Sequence, residues 1–208
     1  MKRLKIPKET IERLPLYLRQ LERFQELGEG RVTSYQITEN LPGIQPNTIR
    51  KDLTYFGNYG TQGTGYSVSH LIEELEKVLN LQTTVEVALV GVGNLGTALC
   101  NYQQESGRGD LEITLAFDKD PELIGQKVEG TQIRSQEDME KKVKEKGIKI
   151  AIITVPANQA QSVADTLISA GVEGILNFAP TLLDSPEEVE VYQIDIISKL
   201  KVLNYGPR

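Results

Sequence analysis

Cysteine and histidine are almost absent from this chain: each occurs once, as Cys100 and His70. A single cysteine excludes an intrachain disulfide and an intrachain thiol switch. One of each excludes a Cys/His metal cluster, so no metal is expected. Cys100 falls inside a helical stretch and reads as a small packing residue. His70 falls at the start of another helix, a poor place for a catalytic acid. Long apolar runs are also missing, and no window approaches the roughly 20 apolar residues that a membrane span needs. Residues 1–8 are basic but no apolar run follows them, so no signal peptide is expected. These absences point to a reducing cytoplasm and to no membrane partner.

Charge is present but unevenly placed. The net charge of −6 over 208 residues combines two opposite parts. Residues 1–60 hold 10 Lys/Arg against 7 Asp/Glu, whereas the remainder holds 13 against 22. A basic N-terminal part on an acidic body suits one region that meets a polyanion.

No internal repeat or low-complexity tract appears. Up to about residue 80 the pattern is helical. Ile11, Leu14, Leu18, Leu21 and Phe24 recur at helical spacing and predict an amphipathic helix over 8–27. Pro15 should kink or restart it. Ser34 is a candidate N-cap for a short helix to Asn40. Pro42-Gly43 forms a turn, and Pro46 opens a third helix running to about Phe56. Ser69 is a candidate cap for a linker helix carrying Leu71, Ile72, Leu75, Val78 and Leu79. After residue 80 the pattern alternates. Strands are expected at 85–90, 111–117, 131–134, 148–154, 174–178 and 189–194, and helices at 94–105, 136–146, 158–170 and 195–203. This is the signature of an α/β chain with a doubly wound parallel sheet, whose ligand crevice lies at the carboxyl ends of the strands.

Gly91, Val92, Gly93, Asn94, Leu95 and Gly96 form a G-x-G-x-x-G turn between an expected strand and an expected helix. The first glycine permits a tight turn and the second lets a pyrophosphate approach the backbone. The third lets the helix pack on the strand with its N–H groups aimed at the anion. Asp118, at the end of the next strand, would accept hydrogen bonds from ribose hydroxyls and repel a 2′-phosphate, which favours NAD(H). Thr154, Val155 and Pro156, with Asn177, Phe178, Ala179 and Pro180, should meet the turn in the same crevice.

On the third helix, at roughly 100° per residue, Ile49, Leu53 and Phe56 make one apolar stripe. Asn47, Lys51 and Thr54 lie opposite, with Arg50 on the flank. Short polar groups and two cations suit a recognition helix that reads major-groove edges and phosphates. Gly57, Gly60, Gly63 and Gly65 suit a hairpin wing.

Residues 48–57, Thr-Ile-Arg-Lys-Asp-Leu-Thr-Tyr-Phe-Gly, resemble the recognition-helix signature of the bacterial redox-sensing repressor family Rex. Residues 13–19, 91–96, 152–156 and 174–180 are similar to the same family in order and spacing. The resemblance implies a winged helix-turn-helix domain with its linker helix (1–80), a Rossmann-like NAD(H)-binding domain (81–194) and a C-terminal helix (195–208) exchanged in a homodimer. It implies binding to palindromic, AT-flanked double-stranded operators with NAD⁺ or at low NADH, and release by NADH. The DNA-binding set is then Asn47, Thr48, Arg50, Lys51, Thr54, Tyr55, Gly63 and Gly65. Arg19, Tyr102 and Asp195 match a polar switch network, and Ile196 of the partner would approach the nicotinamide. Gln62 stands where many relatives carry a basic wing residue, and Ile196 where some carry an aromatic.

Two rivals remain at this point. An NAD-dependent oxidoreductase would need a positioned proton donor, and the second half of the chain has no histidine and no obvious Lys–Tyr pair, so no enzyme is expected. A CoA- or nucleotide-binding module would make no use of Arg50 and Lys51.

Overall fold

The computed structural model describes residues 6–57, 60–61, 65–105 and 110–206. It divides the chain into two compact units, Met1–Thr83 and Thr84–Arg208.

In the first unit, α1 (Lys8–Glu26) buries Leu14, Tyr17, Leu18 and Leu21. It runs unbroken through Pro15, contrary to the expected restart. Pro15 is exposed, so its ring displaces only solvent, and the buried stripe on the other side offsets the lost backbone donor. Ile11, expected in that stripe, is 44% exposed. A short strand the sequence pattern did not reveal, β1 (Arg31–Val32), precedes α2 (Ser34–Thr38). The cap of α2 is Thr33 and not Ser34. Thr33 Oγ1 accepts from the Gln36 N–H at 3.3 Å, and the Gln36 side chain accepts from the Thr33 N–H at 2.8 Å, a reciprocal capping box. Ser34 is thereby turned inward, 5% exposed.

The next helix, α3 (Pro46–Leu53), starts with proline at its first turn and buries Ile49 and Leu53. It ends at Thr54, earlier than expected, and Tyr55 and Phe56 continue as a turn. Then β2 (Gly60–Thr61) and β3 (Gly65–Ser67) pair antiparallel, and β3 lies between β1 and β2. A Cβ on Gly65 would stand 2.4 Å from the Val32 carbonyl oxygen, so only glycine lets the two strands approach. The unit closes with α4 (Val68–Val78), which starts after Ser67 rather than Ser69 and packs Leu71, Ile72 and Leu75 into the core it shares with α1. Helices α1, α2 and α3 with the small sheet and its hairpin make a winged helix-turn-helix, which α4 closes.

The second unit runs β4 (Val85–Val90), α5 (Asn94–Glu105), β5 (Leu111–Asp118), β6 (Lys127–Val128), β7 (Thr131–Ser135), a 3₁₀ turn at Gln136–Asp138, α6 (Met139–Lys146), β8 (Ile150–Ile153), α7 (Ala157–Ser169), β9 (Gly174–Asn177), β10 (Glu190–Gln193) and α8 (Ile196–Tyr205). Among the described residues the sheet order is β10-β9-β8-β4-β5-β7-β6. Every pairing is parallel except β6 with β7. That edge hairpin, missed in the sequence, turns on Glu129 and Gly130, both at positive φ (46° and 83°), as a two-residue hairpin turn requires. One face of the sheet carries α6 and α7 over Val90, Phe117, Ile153 and Ile175. The other carries α5 over Leu89, Ala116 and Ile133. Cys100 packs in this second layer, and burial pushes its thiol up to about 11, keeping it protonated.

Between β4 and β5 the register slips by one residue at Val87/Ala88, which leaves Thr114 as the extra residue of a bulge. Its Oγ1 is buried without a hydrogen-bond partner among the described residues. Thr114→Val removes that unsatisfied group at constant shape. It is expected to raise stability by about 1 kcal/mol, read as a shift in urea midpoint at unchanged slope.

Candidate dinucleotide site and nucleic-acid interface

At the carboxyl edge of the sheet, Phe117, Val90, Ile153, Asn177 and Gln193 stand in one row across β5, β4, β8, β9 and β10. The segments that follow these residues therefore emerge side by side. The sheet reverses its winding at β4, with β5 on one side and β8 on the other, and here an open α/β sheet forms its ligand crevice.

The glycine turn occupies that crevice. Gly91 takes φ +95° and its N–H donates to the Phe117 carbonyl at 2.8 Å. Thr154 Oγ1 donates to the Gly91 carbonyl at 2.6 Å, tying the turn to the end of β8. A Cβ on Gly96 would lie 2.1 Å from the Gly91 oxygen, and one on Gly91 would lie 3.0 Å from the Thr154 carbonyl. A Cβ on Gly93 would meet nothing within 4 Å. The outer glycines thus serve close packing of the protein on itself, while the middle one keeps a cradle open where α5 begins. Asn94 and Leu95 are exposed at that helix start. This arrangement fits a pyrophosphate.

Asp118 accepts the Val92 N–H at 2.6 Å and the Asp120 N–H at 2.9 Å, one on each carboxylate oxygen. Its carboxylate clamps the turn, and the remaining lone pairs are available for ribose hydroxyls. Val155 and Ala179 are buried, Thr154 and Phe178 are half-buried, and Pro156 and Pro180 are exposed. Asn177 is fully buried. Its amide donates to the Thr181 carbonyl at 2.8 Å and to Gln193 Oε1 at 2.7 Å, and its oxygen accepts the Ala179 N–H at 3.0 Å. Asn177 therefore shapes the 177–181 loop from beneath. Gln193, which also donates to the Ala179 carbonyl at 2.8 Å, is its unforeseen partner.

In the first unit the outward face of α3 presents Asn47, Arg50, Lys51 and Thr54, all exposed, with Thr48 and Tyr55 half-buried beside them. Arg50 is held in place. It donates to Ser34 Oγ at 2.7 Å and to Asn47 Oδ1, and its guanidinium carbon lies 5.9 Å from the centroid of the Tyr35 ring. Thr54 Oγ1 donates back to the Lys51 carbonyl at 2.6 Å. Gly65 pairs with Thr61 at the loop end of the hairpin, close against the Val32 carbonyl of β1, and its own carbonyl accepts from Arg31 at 2.9 Å. Gly63 and Gln62 lie outside the described residues.

Beneath α3 is a cluster that sequence reasoning missed. Asp52, 3% exposed, accepts two hydrogen bonds from Arg13 (2.7 and 2.8 Å), one from Tyr17 (2.7 Å) and one from Thr10 (2.9 Å). Burial alone would push its carboxyl up, but the hydrogen bonds from Arg13, Tyr17 and Thr10 together hold it below the ordinary carboxylate value. Burial, reinforced by the bond to Asp52, pushes the Tyr17 hydroxyl up. The only sequence signal was an acid on the apolar side of an otherwise basic helix.

The three switch candidates are on separate elements. Arg19 is exposed on α1 in the first unit, Tyr102 is exposed on α5, and Asp195 is the N-cap of α8. Asp195 accepts the Ser198 hydroxyl at 2.5 Å and its N–H at 2.8 Å, which holds its carboxyl below the usual value. Ile196 opens α8, 54% exposed. Among the described residues no group of three or more His, Cys, Asp or Glu side chains could hold a metal ion, and no helix is long and apolar enough to cross a membrane.

Residues 82–181 match a family model described as "CoA binding domain", and residues 5–54 match one described as "Putative DNA-binding protein N-terminus". The chain is 42% identical to the redox-sensing transcriptional repressor Rex of Desulforamulus reducens, over 99% of this chain and 97% of the relative. It is 43% identical to that of Carboxydothermus hydrogenoformans, over 100% and 99%. Among solved structures it is similar to RSP in complex with β-NAD⁺ and operator DNA, with TM-score 0.89, 33% identity, and coverage of 97% of this chain and 92% of the other. It is also similar to RSP in complex with β-NADH, with TM-score 0.84, 31% identity, and coverage of 97% and 94%.

Proposed function

The chain belongs to the Rex family of redox-sensing transcriptional repressors, and on that premise we propose that it binds palindromic operator DNA through α3 and its hairpin and takes NAD(H) in the crevice of its second unit. The observation that carries this reading is the pairing, in one chain, of two features. One is an outward polar face on α3. The other is a glycine turn closed at Gly91 and Gly96 but open at Gly93. RSP, similar over 97% of this chain, has been solved both with β-NAD⁺ and operator DNA and with β-NADH. The CoA-type match over 82–181 fits the same nucleotide crevice and does not account for α3.

The residues that would hold the dinucleotide are Gly93, Asn94 and Leu95 at the pyrophosphate and Asp118 at the ribose. The loops at 154–156 and 177–180 form the far wall. When bound, the dinucleotide supplies a nicotinamide ring whose charge and planarity differ between the oxidised and reduced forms. A ligand shifts a two-state equilibrium only by its differential affinity for the two states. The neutral reduced ring is the form an apolar wall accepts more readily, so the reduced state favours release from DNA.

The working assembly is a homodimer in which α8 is exchanged. Ile196, Ile197, Leu200, Val202, Leu203 and Tyr205 are all exposed on this 10-residue helix, and it buries no residue in its own unit. A helix this short is marginal alone in water, so its apolar surface calls for a second copy. Ile196 and Asp195 would then be delivered to the partner's nicotinamide end.

The test is fluorescence anisotropy of a labelled palindromic AT-rich operator, titrated separately with NADH and NAD⁺. Release by micromolar NADH but not by NAD⁺ is expected. The double variant Arg50→Ala/Lys51→Ala should lose operator binding while retaining NADH binding. Operator affinity indifferent to both dinucleotides would sink the sensor and leave only a DNA-binding protein.

A further inference from the structure

Resting on the reading of α3 as the operator helix, we propose that Ser34 and Tyr35 of α2 are positioning residues for Arg50, so that part of operator recognition is set one helix away from the bases. Arg50 is exposed on α3, yet its guanidinium is held from three sides. Ser34 Oγ accepts at 2.7 Å, Asn47 Oδ1 accepts one turn back on the same helix, and the Tyr35 ring lies 5.9 Å from the guanidinium carbon.

Ser34 is 5% exposed and follows the Thr33 capping box directly, so its hydroxyl is fixed by the fold. Tyr35 is 66% exposed. A large aromatic so exposed on a polar face adds little to the core, while a cation over its ring face gives it an electrostatic use. Two of the five guanidinium N–H groups are engaged, which leaves three for bases or phosphates. A free arginine loses rotamer entropy on being ordered. One already ordered in the free protein avoids much of that loss on binding DNA.

The experiment measures operator affinity by anisotropy at low ionic strength, where weakened variants still bind measurably. It uses Tyr35→Ala, Tyr35→Phe and Ser34→Ala, each with Arg50 intact and with Arg50→Ala. With Arg50 intact, Tyr35→Ala is expected to weaken binding roughly three- to five-fold, as a cation–π contact at an exposed site predicts. Ser34→Ala should weaken it about ten-fold, as expected for a hydrogen bond to a charged group. Tyr35→Phe, which keeps the ring, should stay within about two-fold. With Arg50→Ala all these losses should vanish, because a positioning residue has nothing left to position. Melting temperature and NADH affinity should be unchanged by the Tyr35 variants. Wild-type affinity in both Tyr35→Ala and Ser34→Ala overturns the proposal. So do losses that persist undiminished with Arg50→Ala, since the side chains would then contact DNA themselves. Failure of the unaltered protein to bind any operator is a separate result, which removes the functional reading and this proposal with it.

Discussion

Asp52→Ala is expected to destabilise the first unit by about 3 kcal/mol, toward the lower end of the range for removing one partner of a buried ion pair. The carboxylate is 3% exposed and satisfies Arg13, Tyr17 and Thr10 together, so one truncation strips four hydrogen bonds. The Arg13 side chain is 26% exposed and regains part of its hydration, which keeps the loss from the top of the range. Because these bonds fix α3 against α1, operator affinity should fall with stability, whereas NADH affinity, which belongs to the other unit, should hold. Urea unfolding and NADH fluorescence titration on the same variant check both halves.

The effect also has a pH signature. The folded pKa of Asp52 is depressed, so its contribution is fully present above the ordinary carboxylate value. It is lost as pH falls through the folded pKa. The stability gap between wild type and Asp52→Asn should therefore be widest near neutrality and close in acid. A gap that is flat with pH would mean that the carboxylate's charge is not what holds the helices.

The second large effect separates the three glycines of the turn. Gly96→Ala places a Cβ 2.1 Å from the Gly91 carbonyl oxygen, a backbone atom that cannot move aside cheaply. About 3 kcal/mol of stability should be lost, the upper end of overpacking, together with NADH binding. Gly93→Ala meets nothing within 4 Å and should leave the melting temperature within about 1 °C, since surface substitutions away from packed features cost little. It nonetheless occupies the cradle, so NADH affinity should drop by about 100-fold or more, the factor for losing one well-placed charged contact or more. Unchanged NADH affinity in Gly93→Ala would show that the open cradle at Gly93 is not a ligand site.

Much of this protein is legible in its sequence where local physics decides. The 85–90 strand and the 94–105 helix come out with the expected bounds. A strand needs only its apolar run and a helix only its periodicity, and the glycines between them mark the break. The stripe of Ile49 and Leu53 likewise identifies the buried side of α3, and so by difference its outer face. Reading failed where two chemically equivalent neighbours compete. Thr33 rather than Ser34 caps α2 with its hydroxyl, and α4 starts after Ser67 rather than Ser69 with no side-chain cap, because where each helix begins depends on the strand that enters it. The hairpin of β6 and β7 escaped notice because Glu129 is not a residue expected at positive φ.

The sequence by itself therefore determined the order of the long helices and of the central strands, the glycine turn with its acidic companion, the polar face of α3 and the family likeness. All of these rest on spacings within a few residues. Tertiary structure alone decided what each polar group is for. Asp52 meets Arg13 across 39 residues and Thr10 across 42, Arg50 meets Ser34 across 16, and Asn177 meets Gln193 across 16. The physical reason is that a buried polar group must find a partner wherever the packed chain places one. No local pattern records which element will be packed there.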